Sequence, residues 1–205
     1  MAINIVRFAR DGAVAWGVLR GAEIRPVPGD FATTGEFVAA FDVAALAALT
    51  GPAIAAAEVE ILSPVTRNQQ FLCQGANYRR HMIESGMDPD AKTFNMIFTK
   101  AASCIVPASS PVVKPAHVRF LDYEVELGLI LRRDVTAATT ITDANLRDFV
   151  AGLVIVDDYS ARDVQIPQMQ FYKGKSYRTF GPVGPHLALL EPGDEAEIRN
   201  LDLRL

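Results

Sequence analysis

A chain of 205 residues is the right size for one domain, or for one domain with a small appendage. Half of its residues are hydrophobic, enough for a real core, and 20 Lys and Arg stand against 24 Asp and Glu. The formal charge of −4 gives no electrostatic reason to expect nucleic acid or an anionic membrane surface as a partner. An anionic ligand then has to be recruited locally, by a few cations or a bound metal.

No apolar run approaches the ~20 residues of a membrane helix. The first eight residues, MAINIVRF, read as an alternating strand and not as a signal peptide. Cys73 and Cys104 belong to no C-x-x-C motif and read as reduced, buried thiols. The expectation is a cytoplasmic globular protein.

Residues 3–27 are expected to form an antiparallel meander, with turns at Asp11-Gly12 and Arg20-Gly21. One or two short helices are expected over residues 34–50, closed by Gly51-Pro52. The stretch around Leu62-Ser63-Pro64-Val65 then leads into a larger unit, which divides the chain at 1–62 and 63–205. In that unit a strand at residues 71–73 runs into a loop with Asn77 as N-cap, and a helix over 78–85 ends at Gly86. Strands are expected at 96–100, 111–114 and 120–131, and a short helix at 142–148. Residues 150–159 are apolar until Asp157 and predict a buried central strand. A short helix over 161–168 follows, then a Gly/Pro-punctuated loop from 174 to 185, and a strand resumes at 185–190.

Four segments carry candidate chemistry. In Asp122-Tyr123-Glu124-Val125-Glu126, strand alternation puts Glu124 and Glu126 on one face, roughly 7 Å apart along the chain. Two such carboxylates repel unless a cation lies between them or water screens them; a solvated strand face with Lys or Arg opposite is the structural alternative. In Val156-Asp157-Asp158-Tyr159-Ser160-Ala161-Arg162-Asp163, an apolar strand delivers acids to its carboxyl end, where Asp157 and Ser160 can equally be simple caps. Three carboxylates from two strands would make an all-oxygen site suited to Mg²⁺ or Mn²⁺. On a helix, His81 and Glu84 lie at i and i+3, close enough to form a general-base pair or an ordinary surface pair. His117 and His186 read as structural. Gly174-Lys175-Ser176 is not a phosphate loop, because position 169 is Met where that motif requires Gly. Lys175 in a rigid Gly/Pro loop can bind a carboxylate or an oxyanion instead.

The order of these segments, N-Y-x-x-H-x-x-E, F-T-K, E-V-E-L-G, D-D-Y-S-A-R-D-V-Q, G-K-S and G-P-V-G-P, resembles the catalytic domain of the fumarylacetoacetate hydrolase family over about residues 64–192. The preceding 60 or so residues are similar to the small N-terminal domain of many bacterial members, of the acylpyruvase or 2-hydroxyhepta-2,4-diene-1,7-dioate isomerase type. The resemblance implies an α+β fold, a β-rich roll with a mixed, strongly bent sheet beside a small N-terminal meander and helix unit. It implies Glu124, Glu126 and Asp158 as ligands of Mg²⁺ or Mn²⁺ and His81 with Glu84 as a water-activating dyad. Lys175 and Gln165 would contact substrate oxygens, Lys100 and Arg162 would line or support the site, and the protein would be a homodimer. Family members continue past this point with further strands, so the C-terminal part of the family fold is expected to be absent, with residues 200–205 an interrupted strand.

The activity implied is metal-dependent hydrolysis of a C–C bond in a 2,4-dioxo acid, giving pyruvate and a carboxylic acid. Oxaloacetate decarboxylation and isomerisation of a 2-hydroxydienedioate use the same metal–enolate logic. A non-catalytic metal-binding homologue is the reading from another class.

Overall fold

The computed structural model describes residues 3–84, 86–91, 94–169 and 171–205. The N-terminal segment alternates apolar and polar residues and folds as expected into β1 (Ile3–Arg10), β2 (Ala13–Arg20) and β3 (Glu23–Pro26), paired antiparallel in sequence order. Two helices cover this meander, α1 (Thr34–Ala40) and α2 (Val43–Ala47). The Thr33 hydroxyl accepts from the Glu36 N–H, the Glu36 carboxylate accepts from the Ala32 N–H, and Asp42 caps α2 through the Ala44 N–H. Phe37 on α1 stacks on Trp16 of β2 at 4.5 Å between ring centroids, and the Trp16 indole donates to the Phe31 carbonyl at 2.9 Å. Two strands, β4 (Ile54–Ala55) and β5 (Glu60–Leu62), close this part.

The larger part follows as β6 (Phe71–Gly75), α3 (Arg79–Glu84), β7 (Met96–Lys100), β8 (Ile105–Pro107), β9 (Leu121–Asp122) and β10 (Val125–Leu131). After these come α4 (Leu146–Phe149), β11 (Val150–Asp157), β12 (Ser160–Ala161), α5 (Arg162–Gln168) and α6 (Phe171–Lys175). The last elements are β13 (Gly181–Val183), β14 (Leu187–Leu189) and α7 (Asp194–Glu197).

One ten-stranded mixed sheet runs β4-β3-β2-β1-β14-β11-β13-β8, with β10 paired to β11 and β5 to β1. Among its pairings only β13 with β8 is parallel. β6–β7 and β9–β12 form two separate antiparallel pairs. The sheet is continuous between the meander and the larger part, because β1 pairs with β14 and with β5. The main core follows it, joining Ile5, Trp16 and Phe37 to Val154, Leu187 and Leu189.

Several expectations differ in detail. The strand expected at 120–131 is broken into β9 and β10, because residues on either side of Tyr123 pair with different partners, β12 and β11. Residues 111–114 carry no strand, and 200–205 are irregular after a 3₁₀ turn at Ile198–Asn200. The helix expected at 142–148 is shorter and later: Asn145 accepts from the Thr142 N–H in a turn, and α4 starts at Leu146. Residue 174, expected to open a loop, lies instead inside α6, so Lys175 is the last residue of a helix. The helix expected at 78–85 is α3, and Gly86 follows it with φ +73, the left-handed value of a C-cap; Ser85 lies outside the described residues. β11 is central, yet Ile155 is exposed on its outer face.

Candidate active site

The site is assembled where β10 begins and β11 ends. Their register pairs Val125 with Asp157, and the next rung brings Glu124 opposite Asp158, whose N–H donates to the Glu124 carbonyl at 2.8 Å. Asp157 accepts from the Glu124 backbone N–H at 3.2 Å, a contact across to the neighbouring strand and not the helix cap its position also allowed. The chain then crosses into β12, where Ser160 pairs with Asp122 of β9.

Two lysines converge on these carboxylates. Lys175 donates to Glu124 Oε2 at 2.5 Å, to Asp158 Oδ2 at 2.5 Å and to Ser160 Oγ at 2.7 Å. Lys100, at the end of β7, donates to the other Asp158 oxygen at 2.5 Å and to the Phe180 carbonyl at 2.7 Å. The Lys100 side chain is fully enclosed, and each ammonium lies near an aromatic ring, Lys100 by Phe71 and Lys175 by Phe98. The two stay in register because Ser176, directly after Lys175, accepts from the Ala101 N–H, directly after Lys100.

Arg162 supports the carboxylate side. It donates to Glu124 Oε1 at 2.6 Å, to Asp122 Oδ2 at 2.7 and 2.9 Å, and to Gln165 Oε1 at 2.9 Å. Burial pushes the Glu124 carboxyl up, but Lys175 and Arg162 outweigh it and bring the group down to about 2. Glu126, two residues along, is pushed up to about 7. Burial is the main cause, a hydrogen bond from Tyr78 opposes it, and the charges of Glu124 and Asp158 add to it.

The structure thus brings together Glu124, Asp158, Lys100, Lys175, Arg162 and Gln165, with Glu126 beside them. It does not join His81 to Glu84. Both are exposed on α3, and Glu84 accepts instead from Arg80 at 2.9 Å. Tyr78, just before α3, ties that segment to the site through Glu126. His117 is bonded to the Tyr177 hydroxyl at 2.9 Å, a structural contact. Cys73 and Cys104 are the free thiols; burial first, then the Asp158 charge, pushes Cys73 up to about 12, so it stays a thiol.

Two members were not singled out from sequence as site residues. Sequence position offers Ser160 only a capping role, although it stands two residues after Asp158 in an extended segment, which carries its side chain to the same side. Asp122 opened the carboxylate motif, but only the break between β9 and β10 turns it toward Arg162.

The family fold implies a divalent cation. Among the described residues no three acids, histidines or cysteines close into a ligand cluster, since the Lys175 ammonium stands between Glu124 and Asp158. The chemistry of the donors nonetheless fits a hard cation. Glu124 and Asp158 face one ammonium from neighbouring strand ends, and Glu126 is a half-buried acid beside those two anions, the kind of group a divalent ion holds ionised.

Comparison with known proteins agrees with the fold. The fumarylacetoacetate hydrolase C-terminal family model matches residues 70–205, and an N-terminal model, Rv2993c-like, matches residues 4–64. The chain belongs to the fumarylacetoacetate hydrolase family. It is 33% identical over 150 residues to oxaloacetate tautomerase YisK of Bacillus subtilis, covering 72% of this chain and 49% of that protein. It is 34% identical over 154 residues to the human mitochondrial oxaloacetate tautomerase FAHD2A, covering 74% of this chain and 47% of that protein. Among solved structures, a fumarylacetoacetate hydrolase from Exiguobacterium antarcticum superposes with a TM-score of 0.74 at 28% identity, over 93% of this chain and 69% of that one. The chain spans about half the length of the curated relatives it matches.

Proposed function

We propose that this chain catalyses proton exchange at the carbon beside the keto group of a small 2-oxo acid, as keto–enol exchange or migration of a double bond. The observation that carries the reading is the buried Lys175 ammonium, fixed by three hydrogen bonds among Glu124, Asp158 and Ser160. A preorganised ammonium in a water-poor site stabilises negative charge on an enolate oxygen, and it does so without reorganising as that charge develops. Glu124, Glu126 and Asp158 would hold Mg²⁺ or Mn²⁺, which when bound supplies a Lewis acid for the substrate oxygens. Gln165, oriented by Arg162, offers its amide to a substrate oxygen, and Lys100 holds Asp158 from behind. His81 is the candidate base, carried on the segment that Tyr78 ties to the site.

C–C hydrolysis of a 2,4-dioxo acid, placed first on sequence grounds, needs a base that activates an attacking water. The separation of His81 from Glu84 favours a reaction without that water. The tautomerase names of the curated relatives support the same choice.

The test follows the enol absorbance of oxaloacetate, together with proton NMR of acetylpyruvate and fumarylpyruvate, with Mg²⁺ or Mn²⁺ and again with EDTA. The expected result is metal-dependent keto–enol exchange with the carbon skeleton intact. Pyruvate plus a carboxylic acid from a dioxo acid makes the protein the hydrolase, and pyruvate plus CO₂ from oxaloacetate makes it a decarboxylase. Metal uptake with no turnover of any of the three leaves the binding homologue.

A further inference from the structure

We propose that Ser160 is a positioning residue that aims the Lys175 ammonium, an inference that rests on the reading of Lys175 as the group facing the enolate. An ammonium carries three N–H donors. Those of Lys175 are all in use, and Ser160 Oγ, at 2.7 Å, is the one uncharged acceptor among the three.

The hydroxyl is held as firmly as the group it orients. Ser160 is fully buried on β12, whose pairing with β9 fixes its backbone opposite Asp122. Its single proton has two acceptors in reach, Glu124 Oε2 at 3.3 Å and the Asp158 carbonyl at 3.2 Å. Donating to either one turns the oxygen lone pairs toward Lys175. The hydroxyl is therefore an acceptor for the ammonium by arrangement, whichever of the two receives its proton.

The two carboxylates and the hydroxyl differ in what they can do during a reaction cycle. Glu124 and Asp158 are anions, and a cation or a substrate that engages them weakens their pull on Lys175. Ser160 is neutral, and with Glu124 engaged its proton still has the Asp158 backbone carbonyl. It keeps one N–H of Lys175 directed while the remaining two become available to an anionic oxygen. Without it, a four-carbon side chain with a charged tip keeps only partners that compete with the ligand.

Three variants and two readouts test this. Ser160→Ala is expected to lower kcat of metal-dependent keto–enol exchange by about ten- to hundredfold, the scale of one lost hydrogen bond to a charged group, with little change in KM. Ser160→Thr keeps the hydroxyl and is expected to recover most of the loss. The second readout needs no substrate: the proton–nitrogen NMR signal of the Lys175 ammonium, assigned with Lys175→Met, shifts or broadens in Ser160→Ala while that of Lys100 stays. If Ser160→Ala does not fold, Ser160→Cys fills the same space with a poor hydrogen-bonding group and is expected to show the same two changes. An unchanged kcat with an unchanged Lys175 signal overturns the proposal, as does Ser160→Thr being as impaired as Ser160→Ala. A shifted Lys175 signal in a protein whose wild type turns over nothing upholds the contact and overturns the functional reading alone.

Discussion

Asp158 is gripped from both sides, by Lys100 on one oxygen and Lys175 on the other, and the two lysines differ in what else they can do. Lys100 has its second bond to a backbone carbonyl and no exposed side-chain surface, so it acts on Asp158 and on the packing around it. Removing one partner of a buried ion pair leaves the other charge uncompensated. Lys100→Met is therefore expected to cost about 3–5 kcal/mol of stability, seen as a lower urea midpoint. A Lys100 that contacted substrate would instead show a raised KM at unchanged stability. The residues of the site were legible in sequence to the extent that their chemistry was: Glu124 shares a strand face with Glu126, Asp158 follows an apolar strand, and Lys175 sits beside a glycine. Ser160 was not legible, because its role depends on a lysine 15 residues away and a crossover between two short strands.

At the scale of elements, α5 and α6 decide where Lys175 ends. Gly174 lies against α5 so closely that a Cβ there would stand 2.6 Å from the Gln165 Cβ and 2.9 Å from its backbone. Backbone cannot yield as a flexible side chain does, so Gly174→Ala must push α6 outward. The expected outcome is a loss of about 1–3 kcal/mol in stability together with a drop in kcat, because the displaced residue is next to Lys175. Denaturant titration and the keto–enol assay on the same sample check both. The sequence reading took Gly174 as the start of a loop, since a glycine followed by Gly/Pro punctuation usually is one. What it could not contain was the neighbouring helix, which turns that glycine into a packing contact. The meander and α1 were legible for the opposite reason: their turn and cap residues act on neighbours only a few positions away.

For the whole molecule, the large sheet and its core cross the boundary between the meander and the site-bearing part. The single tryptophan, Trp16, is buried in that shared core. Unfolding is therefore expected to be one transition, with Trp16 fluorescence and far-UV circular dichroism giving the same midpoint. Two separated midpoints would mean that the meander melts by itself. The division of the chain at residue 62 rests on the Pro-containing connector around Leu62-Ser63-Pro64-Val65, a signal that reports where the chain turns. It does not report how strands pair, and the β1–β14 pairing joins residues more than 180 positions apart in sequence.

One edge of β1 is shared between two partners, β14 along Ile3–Ile5 and β5 along Arg7–Ala9, with β2 along the other edge. As the chain is made, β1 can pair with β2 at once and with β5 some fifty residues later. Its opening residues must wait until Leu187–Leu189 has been synthesised. Closing so long a loop is slow, and the waiting backbone is an open edge in the meantime. That edge of β1 therefore stays open while about 180 further residues are added, and a strand made early is sealed by one made much later.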